Sequence, residues 1–109
     1  MITFDEYGVS GHPNHTATYR GVQLALNALS RRKKKPIGLK LQTTSIFRKF
    51  LGFFDVPFSL FSCENVVVNF NLFRVLKGMT AHRSQNVWYR ILFVLFSRYT
   101  YVNTFVSIN

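Results

Sequence analysis

The chain is poor in several residue types that other kinds of protein depend on. It holds one cysteine, Cys63, so no disulfide closes within it and no cysteine cluster can hold a metal. A lone cysteine of this kind is more often a small buried hydrophobe than a nucleophile. Acidic residues are scarce: Asp5, Glu6, Asp55 and Glu64 are all there are, and they complete no obvious metal-binding set. Long apolar runs are missing as well. The longest, Ile91 to Phe96, falls far short of a membrane span. The opening MITFDEYG has neither the basic region nor the apolar region of a signal peptide. Ile2-Thr3-Phe4 reads instead as the end of a strand, and a chain opening there carries the expectation of further sequence upstream.

What is abundant is aromatic and basic. Phenylalanine occurs twelve times in 109 residues, and hydrophobic residues make up 48%, which suits a folded chain rather than a disordered one. So much aromatic surface fits a core, a docking surface or a membrane interface. The net charge of +10 is unevenly placed: residues 31–109 carry thirteen Lys and Arg against Asp55 and Glu64. That balance points to an anionic partner, and charge alone does not choose between phospholipid headgroups and nucleic acid. The length allows one domain, residues 1–109, with a core of modest stability.

Local patterns predict an alternation of strands and helices. Pro13 suits the first position of a helix, and Val22, Ala25, Leu26 and Leu29 then recur on one face as far as Ser30. Arg31-Arg32-Lys33-Lys34-Lys35-Pro36 reads first as a solvated loop, then as a headgroup-binding run, and last as a nuclear signal. Ile37, Leu39 and Leu41 alternate with polar residues as in a half-buried strand near a sheet edge. Phe47, Phe50, Leu51 and Phe54 share one face of a helix over 45–54, which Asp55-Val56-Pro57 is expected to break. Val66-Val67-Val68 predicts a buried parallel strand. Asn71 can cap a helix running toward Arg83, and the segment from Val87 to Tyr99 is apolar almost all round. The aromatic and basic stretch Trp88 to Tyr101 fits a core helix or a membrane-contacting one, the second slightly favoured. The order strand, helix, strand, helix, strand, helix, helix implies an α/β fold with a mostly parallel sheet.

The segment Gly8-Val9-Ser10-Gly11-His12-Pro13-Asn14-His15 carries the chemistry. It lies where a strand ends and a helix begins, the place where ligands bind in open α/β sheets. Histidines three apart on a first helical turn face the same way, and imidazole is a good zinc ligand. The glycines let the backbone turn sharply and approach a substrate. Taken alone, the pair fits polar surface or helix caps at least as well as a metal site, since zinc normally takes three or more protein ligands.

Together with Thr3-Phe4-Asp5, this segment resembles the third block of the N-acetylglucosaminylphosphatidylinositol de-N-acetylases, a branch of the LmbE-like zinc deacetylases. Met79-Thr80-Ala81-His82-Arg83-Ser84-Gln85, with Trp88-Tyr89-Arg90 and Phe96-Ser97-Arg98-Tyr99, is similar to that family's C-terminal region. The resemblance implies a Rossmann-like α/β domain that hydrolyses an acetamide with zinc. It implies that His15 is the third zinc ligand, and that His12 stabilises the oxyanion and protonates the leaving amine. Asn14 stands where the wider superfamily has Asp and the glycolipid branch has Asn, and Asp5 could supply the orienting charge instead. Gly11, Asn14 and Asp5 are thereby candidates for contact with the substrate or with the reacting histidines. His82 and Arg83 are candidates for the same role, with a purely structural histidine the equal alternative.

The family's N-terminal His-Pro-Asp-Asp motif, which supplies the other zinc ligands and the general base, does not occur in these 109 residues. The only His-Pro is His12-Pro13, followed by Asn14. The expectation is therefore a C-terminal portion of a single deacetylase domain, inactive alone and holding zinc weakly or not at all. Its partners would be the glycolipid and the membrane surface, at the cytoplasmic face of the endoplasmic reticulum. The alternative is a non-catalytic basic membrane-binding module. Nucleic acid is not expected, because no recognised nucleic-acid motif accompanies the charge.

Overall fold

A computed structural model describes residues 1–85 and 87–108. They fall into two compact units, Met1–Thr44 with Thr104–Asn109, and Ser45–Asn103. The first contains strand β1 (Ile2–Phe4), helix α1 (Pro13–Leu29) and strand β2 (Leu39–Leu41). The second contains α2 (Ile46–Lys49), α3 (Asp55–Ser62), β3 (Asn65–Val68), α4 (Leu72–Ala81), α5 (Trp88–Phe96) and α6 (Arg98–Tyr101). Strand β4 (Val102–Ser107) begins in the second unit and ends in the first. The strand order is β1-β2-β4-β3.

The expected α/β class holds, but the mostly parallel sheet does not. The sheet is mixed: β1 and β2 run parallel, with Ile2 opposite Leu39 and Phe4 opposite Leu41, while β2 and β4 run antiparallel. The difference arises from β4, which sequence patterning did not predict. Its Val102 and Thr104 are buried in alternation with half-buried Asn103 and Phe105, a period of two that follows directly on a helix. β2 is paired on both sides and lies one strand in from the edge strand β1: Gln42 N–H donates to Thr104 O at 2.9 Å, and Ile108 N–H to Gly38 O at 2.9 Å.

Helix α1 matches its sequence signals. Pro13 opens it, Leu26 is buried, Val22, Ala25 and Leu29 are half-buried, and Ser30 ends it. The run Arg31–Lys35 is exposed throughout.

The second unit departs further from expectation. The helix over 45–54 is cut short after Lys49, because the chain turns at Gly52 in a left-handed conformation (φ 55°). A Cβ on Gly52 would lie 3.2 Å from Phe96 O, so only glycine suits this approach. Asp55-Val56-Pro57 does not break a helix but starts α3. Proline is tolerated in a first turn, where N–H groups have no intrahelical partner. β3 is only half-buried, with Val67 exposed, as suits the strand that ends the pairing order. Asn71 caps α4 as predicted, accepting a bond from Arg74 N–H at 3.1 Å.

The apolar segment 87–99 is two helices divided at Ser97, and Arg98 is wholly buried rather than presented to an interface. It joins a buried polar cluster. Arg48 donates through Nε and Nη2 to the two oxygens of Asp55, at 2.8 and 3.2 Å. Arg98 Nε stands 2.6 Å from Asp55 Oδ2, a close ion pair that is not an aligned hydrogen bond. Ser59 Oγ accepts from Arg98 Nη2 at 2.7 Å and donates to Asp55 Oδ2 at 2.7 Å. Burial alone would raise the Asp55 pKa, but the bonds from Arg48 and Ser59 and the charge of Arg98 outweigh it and hold the carboxyl below its usual value.

Among the described residues the buried apolar side chains are Leu26, Val56, Val94 and Val102, each worth about 1.5–3 kcal/mol. Large apolar side chains are widely exposed, among them Phe47, Phe61, Phe73 and Trp88. No helix among the described residues is long and apolar enough to cross a membrane.

Candidate functional site

The site lies in the first unit, at the carboxyl ends of the two adjacent parallel strands. β1 leads into residues 5–12 and β2 leads to Thr43. This is the position at which open α/β sheets bind ligands. The connection Gly8–Gly11 is a single irregular helical turn. Gly8 and Gly11 have φ of 60° and 74°, and Val9, a β-branched residue, is held at φ 66° and ψ −44°. A Cβ on Gly8 would meet His15 Cβ at 2.9 Å, so the turn presses against α1 in a way only glycine allows.

Asp5 organises this turn. Its carboxylate is buried. Oδ1 accepts from the N–H groups of Tyr7 (3.1 Å) and Gly8 (3.0 Å), and also from the Thr43 hydroxyl. Oδ2 accepts from Thr43 N–H. Thr43 Oγ1 in turn accepts from Val9 N–H at 2.9 Å.

The two histidines are brought together, with ring centroids 5.0 Å apart. His12 is exposed and is the N-cap of α1; its Nδ1 accepts from Asn14 N–H at 3.3 Å. His15 is half-buried, its ring stacked on Phe4 at 4.0 Å and 13°, and its Nδ1 lies 2.9 Å from Gly8 O. These partners decide the tautomers. An N–H donor can face only a lone pair, so neutral His12 carries its proton on Nε2. A carbonyl can only accept, so His15 carries its proton on Nδ1 and keeps a lone pair on Nε2. Two neighbouring imidazoles thus end in opposite functions, a donor at His12 and a lone pair at His15.

The other candidates fall into place less evenly. Gly11 and Asn14 are exposed on the same turn, Asn14 acting through its backbone in the cap. His82 and Arg83 belong to the second unit, exposed just beyond the end of α4. Cys63 is half-buried. Among the described residues no three His, Cys, Asp or Glu side chains are grouped to hold a metal. Sequence reading missed Thr43, Phe4 as a stacking partner and the Gly8 carbonyl. The available signal for Thr43 was its place just after the end of the second parallel strand.

The curated proteins that the chain matches point to one relationship. The chain is 38% identical over 110 residues to the N-acetylglucosaminyl-phosphatidylinositol de-N-acetylase of Bos taurus, a match covering 95% of the chain and 42% of that protein. A protein of Dictyostelium discoideum named "Probable N-acetylglucosaminyl-phosphatidylinositol de-N-acetylase" is 34% identical over 139 residues, covering 99% and 54%. One of the same name from Schizosaccharomyces pombe is 30% identical over 108 residues, covering 91% and 42%. No family model matches, and no solved structure matches. The chain spans about half the length, or less, of these curated relatives. By sequence the chain belongs to the family of the N-acetylglucosaminyl-phosphatidylinositol de-N-acetylases, and it represents a part of the length of the members it matches.

Proposed function

We propose that this chain is part of a hydrolase that removes acetyl from N-acetylglucosaminylphosphatidylinositol, and that the turn from Asp5 to His15 is its contribution to the reaction. The opposite tautomers of His12 and His15 carry the reading. Acetamide hydrolysis needs a donor at the oxygen that becomes an oxyanion, which His12 Nε2–H would supply, and a proton for the departing amine, which His12 would give as imidazolium, its Nδ1 then no longer accepting from Asn14 N–H. Water adds at the carbonyl carbon, one of its protons passing to a base contributed from outside this turn; the carbon–nitrogen bond breaks as the nitrogen takes up a proton, and acetate and the glucosaminyl lipid leave.

His15 serves differently. Its Nδ1–H is anchored on a backbone carbonyl, an arrangement common in metal-bound histidines, and its Nε2 lone pair is left for a ligand bond. Zinc, when bound, supplies Lewis-acid polarisation of the carbonyl and a more acidic water. The described residues offer one such donor where a site needs three or more, so on this reading the remaining ligands come from elsewhere in the complete enzyme. On this reading the 109 residues alone neither hold zinc tightly nor turn over substrate. The setting is the endoplasmic reticulum membrane at its cytoplasmic face, where exposed aromatic side chains and the basic loop Arg31–Lys35 meet lipid.

A second reading, a non-catalytic membrane-binding module, draws on those same exposed aromatics. A chimera separates the two. The matching segment of the Bos taurus relative is replaced by this chain, and acetate release from the glycolipid is measured. The proposal expects release by the chimera and none by the isolated chain. A folded chimera unaffected by replacing both histidines with alanine would leave only the module.

A further inference from the structure

We propose that Thr43 is a positioning residue for the histidine pair, holding the strand-to-helix turn in the conformation that aims His15. The observation is one continuous set of bonds from a distant part of the chain. Thr43 N–H and Oγ1–H both donate to the Asp5 carboxylate, and Oγ1 accepts from Val9 N–H at 2.9 Å. The same carboxylate accepts from Gly8 N–H at 3.0 Å, and the Gly8 carbonyl accepts from His15 Nδ1–H at 2.9 Å. Thr43 touches neither histidine in this set; it acts through Asp5 and Gly8.

The strain at Val9 explains why such a clamp is needed. A β-branched residue at φ 66° is disfavoured, and such conformations persist only where the surroundings over-determine them. The Thr43 hydroxyl secures Val9 on one side while Asp5 secures Gly8 on the other. Were the turn to relax, the Gly8 carbonyl would swing away and His15 would lose the bond that sets its tautomer. One side chain, contributed 28 positions after His15, therefore governs which nitrogen of His15 bears the lone pair. The hydroxyl is essential to this role: valine keeps the volume and loses both the donor and the acceptor, whereas serine keeps them.

The test is the tautomer of His15 in the purified 109-residue chain, read by long-range nitrogen–proton NMR correlations at a pH where both rings are neutral. The unaltered chain and Thr43→Ser should show His15 protonated at Nδ1. Thr43→Val should shift it toward the Nε2–H form that an unconstrained imidazole favours. Thr104→Val is the control: it removes another buried hydroxyl of the same unit, one bonded to Gln42 Oε1 at 3.3 Å, and should leave His15 unchanged. An unaltered His15 tautomer in Thr43→Val would overturn the proposal, as would an equal change in Thr104→Val. If Thr43→Val does not fold, amide exchange in the unaltered chain decides: slow exchange at Val9 N–H is required, and free exchange there would refute the clamp. The readout needs no turnover, so it stands or falls apart from the hydrolase reading.

Discussion

Each unit of the chain buries one aspartate, and the two are stabilised by opposite means. Asp5 is surrounded by neutral donors, the N–H groups of Tyr7, Gly8 and Thr43 and the Thr43 hydroxyl. Asp55 is surrounded by two guanidinium groups and a serine. Neutral dipoles fix a backbone path without placing a cation beside the histidines. Guanidinium groups bind more strongly, but each removal leaves a buried charge behind. The first arrangement suits a turn that, on the proposed function, presents His12 and His15 to a substrate; the second suits a structural staple among α2, α3 and α6.

Breaking the staple should have the largest effect. Asp55→Ala leaves Arg98 buried without its counter-charge, and about 3–5 kcal/mol of stability should be lost, measured by urea denaturation followed by circular dichroism. A loss near that of a surface substitution would mean that the cluster is not a staple. Asp5→Asn should cost less, about 1–3 kcal/mol, because an amide NH₂ now opposes donors that a carboxylate accepted. Its damage should be confined to the turn: amide exchange should quicken at Gly8 and Val9 and stay unchanged through α3. Damage of equal size in both units would erase the contrast.

Acid should act on the staple as well. The folded-state pKa of Asp55 is lowered, first against burial and then by Arg48, Ser59 and Arg98. Its charge therefore contributes stability above the unfolded value of about 3.9, and that stability is lost as pH falls through the lower folded value. Unfolding free energies of wild type and Asp55→Asn, compared from pH 6 downward, should converge only below about pH 4. Convergence well above that would place the charge outside the folding balance.

The remaining expected effects concern lipid binding rather than stability. Flotation with anionic liposomes should have a salt-sensitive part and a persistent part. Replacing the exposed run Arg31–Lys35 with glutamines should remove the first, at about 1 kcal/mol per basic residue near the surface. Phe47→Ser with Phe61→Ser should reduce the second. A chain that ignores liposomes and binds duplex DNA would reverse the choice of anionic partner.

The parts of this fold that sequence made legible are those set by neighbours a few residues away. Pro13 and the stripe ending at Leu29 mark α1, Asn71 marks the start of α4, and the glycines around His12 mark a strand-to-helix turn. The parts it hid depend on distant partners. Val102–Ser107 is a strand because β2 accepts it, and a polar-spaced segment after a helix gives little warning of that. Arg98 looked like an interfacial cation because nothing nearby in sequence announces Asp55. Thr43 reaches Asp5 across 38 positions, and no local pattern encodes such a bond. Pro57 is ambiguous in sequence, because a proline that ends one helix and one that begins the next look alike until the first turn is located.

The division of labour between His12 and His15 is the centre of this account, and the chimera carrying His12→Ala tests it most directly when bound zinc and acetate release are measured on the same preparation. The account predicts zinc retained, with kcat lowered about 10²–10⁴-fold, as for loss of a proton donor or oxyanion contact. A His12→Ala protein stripped of zinc, or one with full turnover, would contradict it.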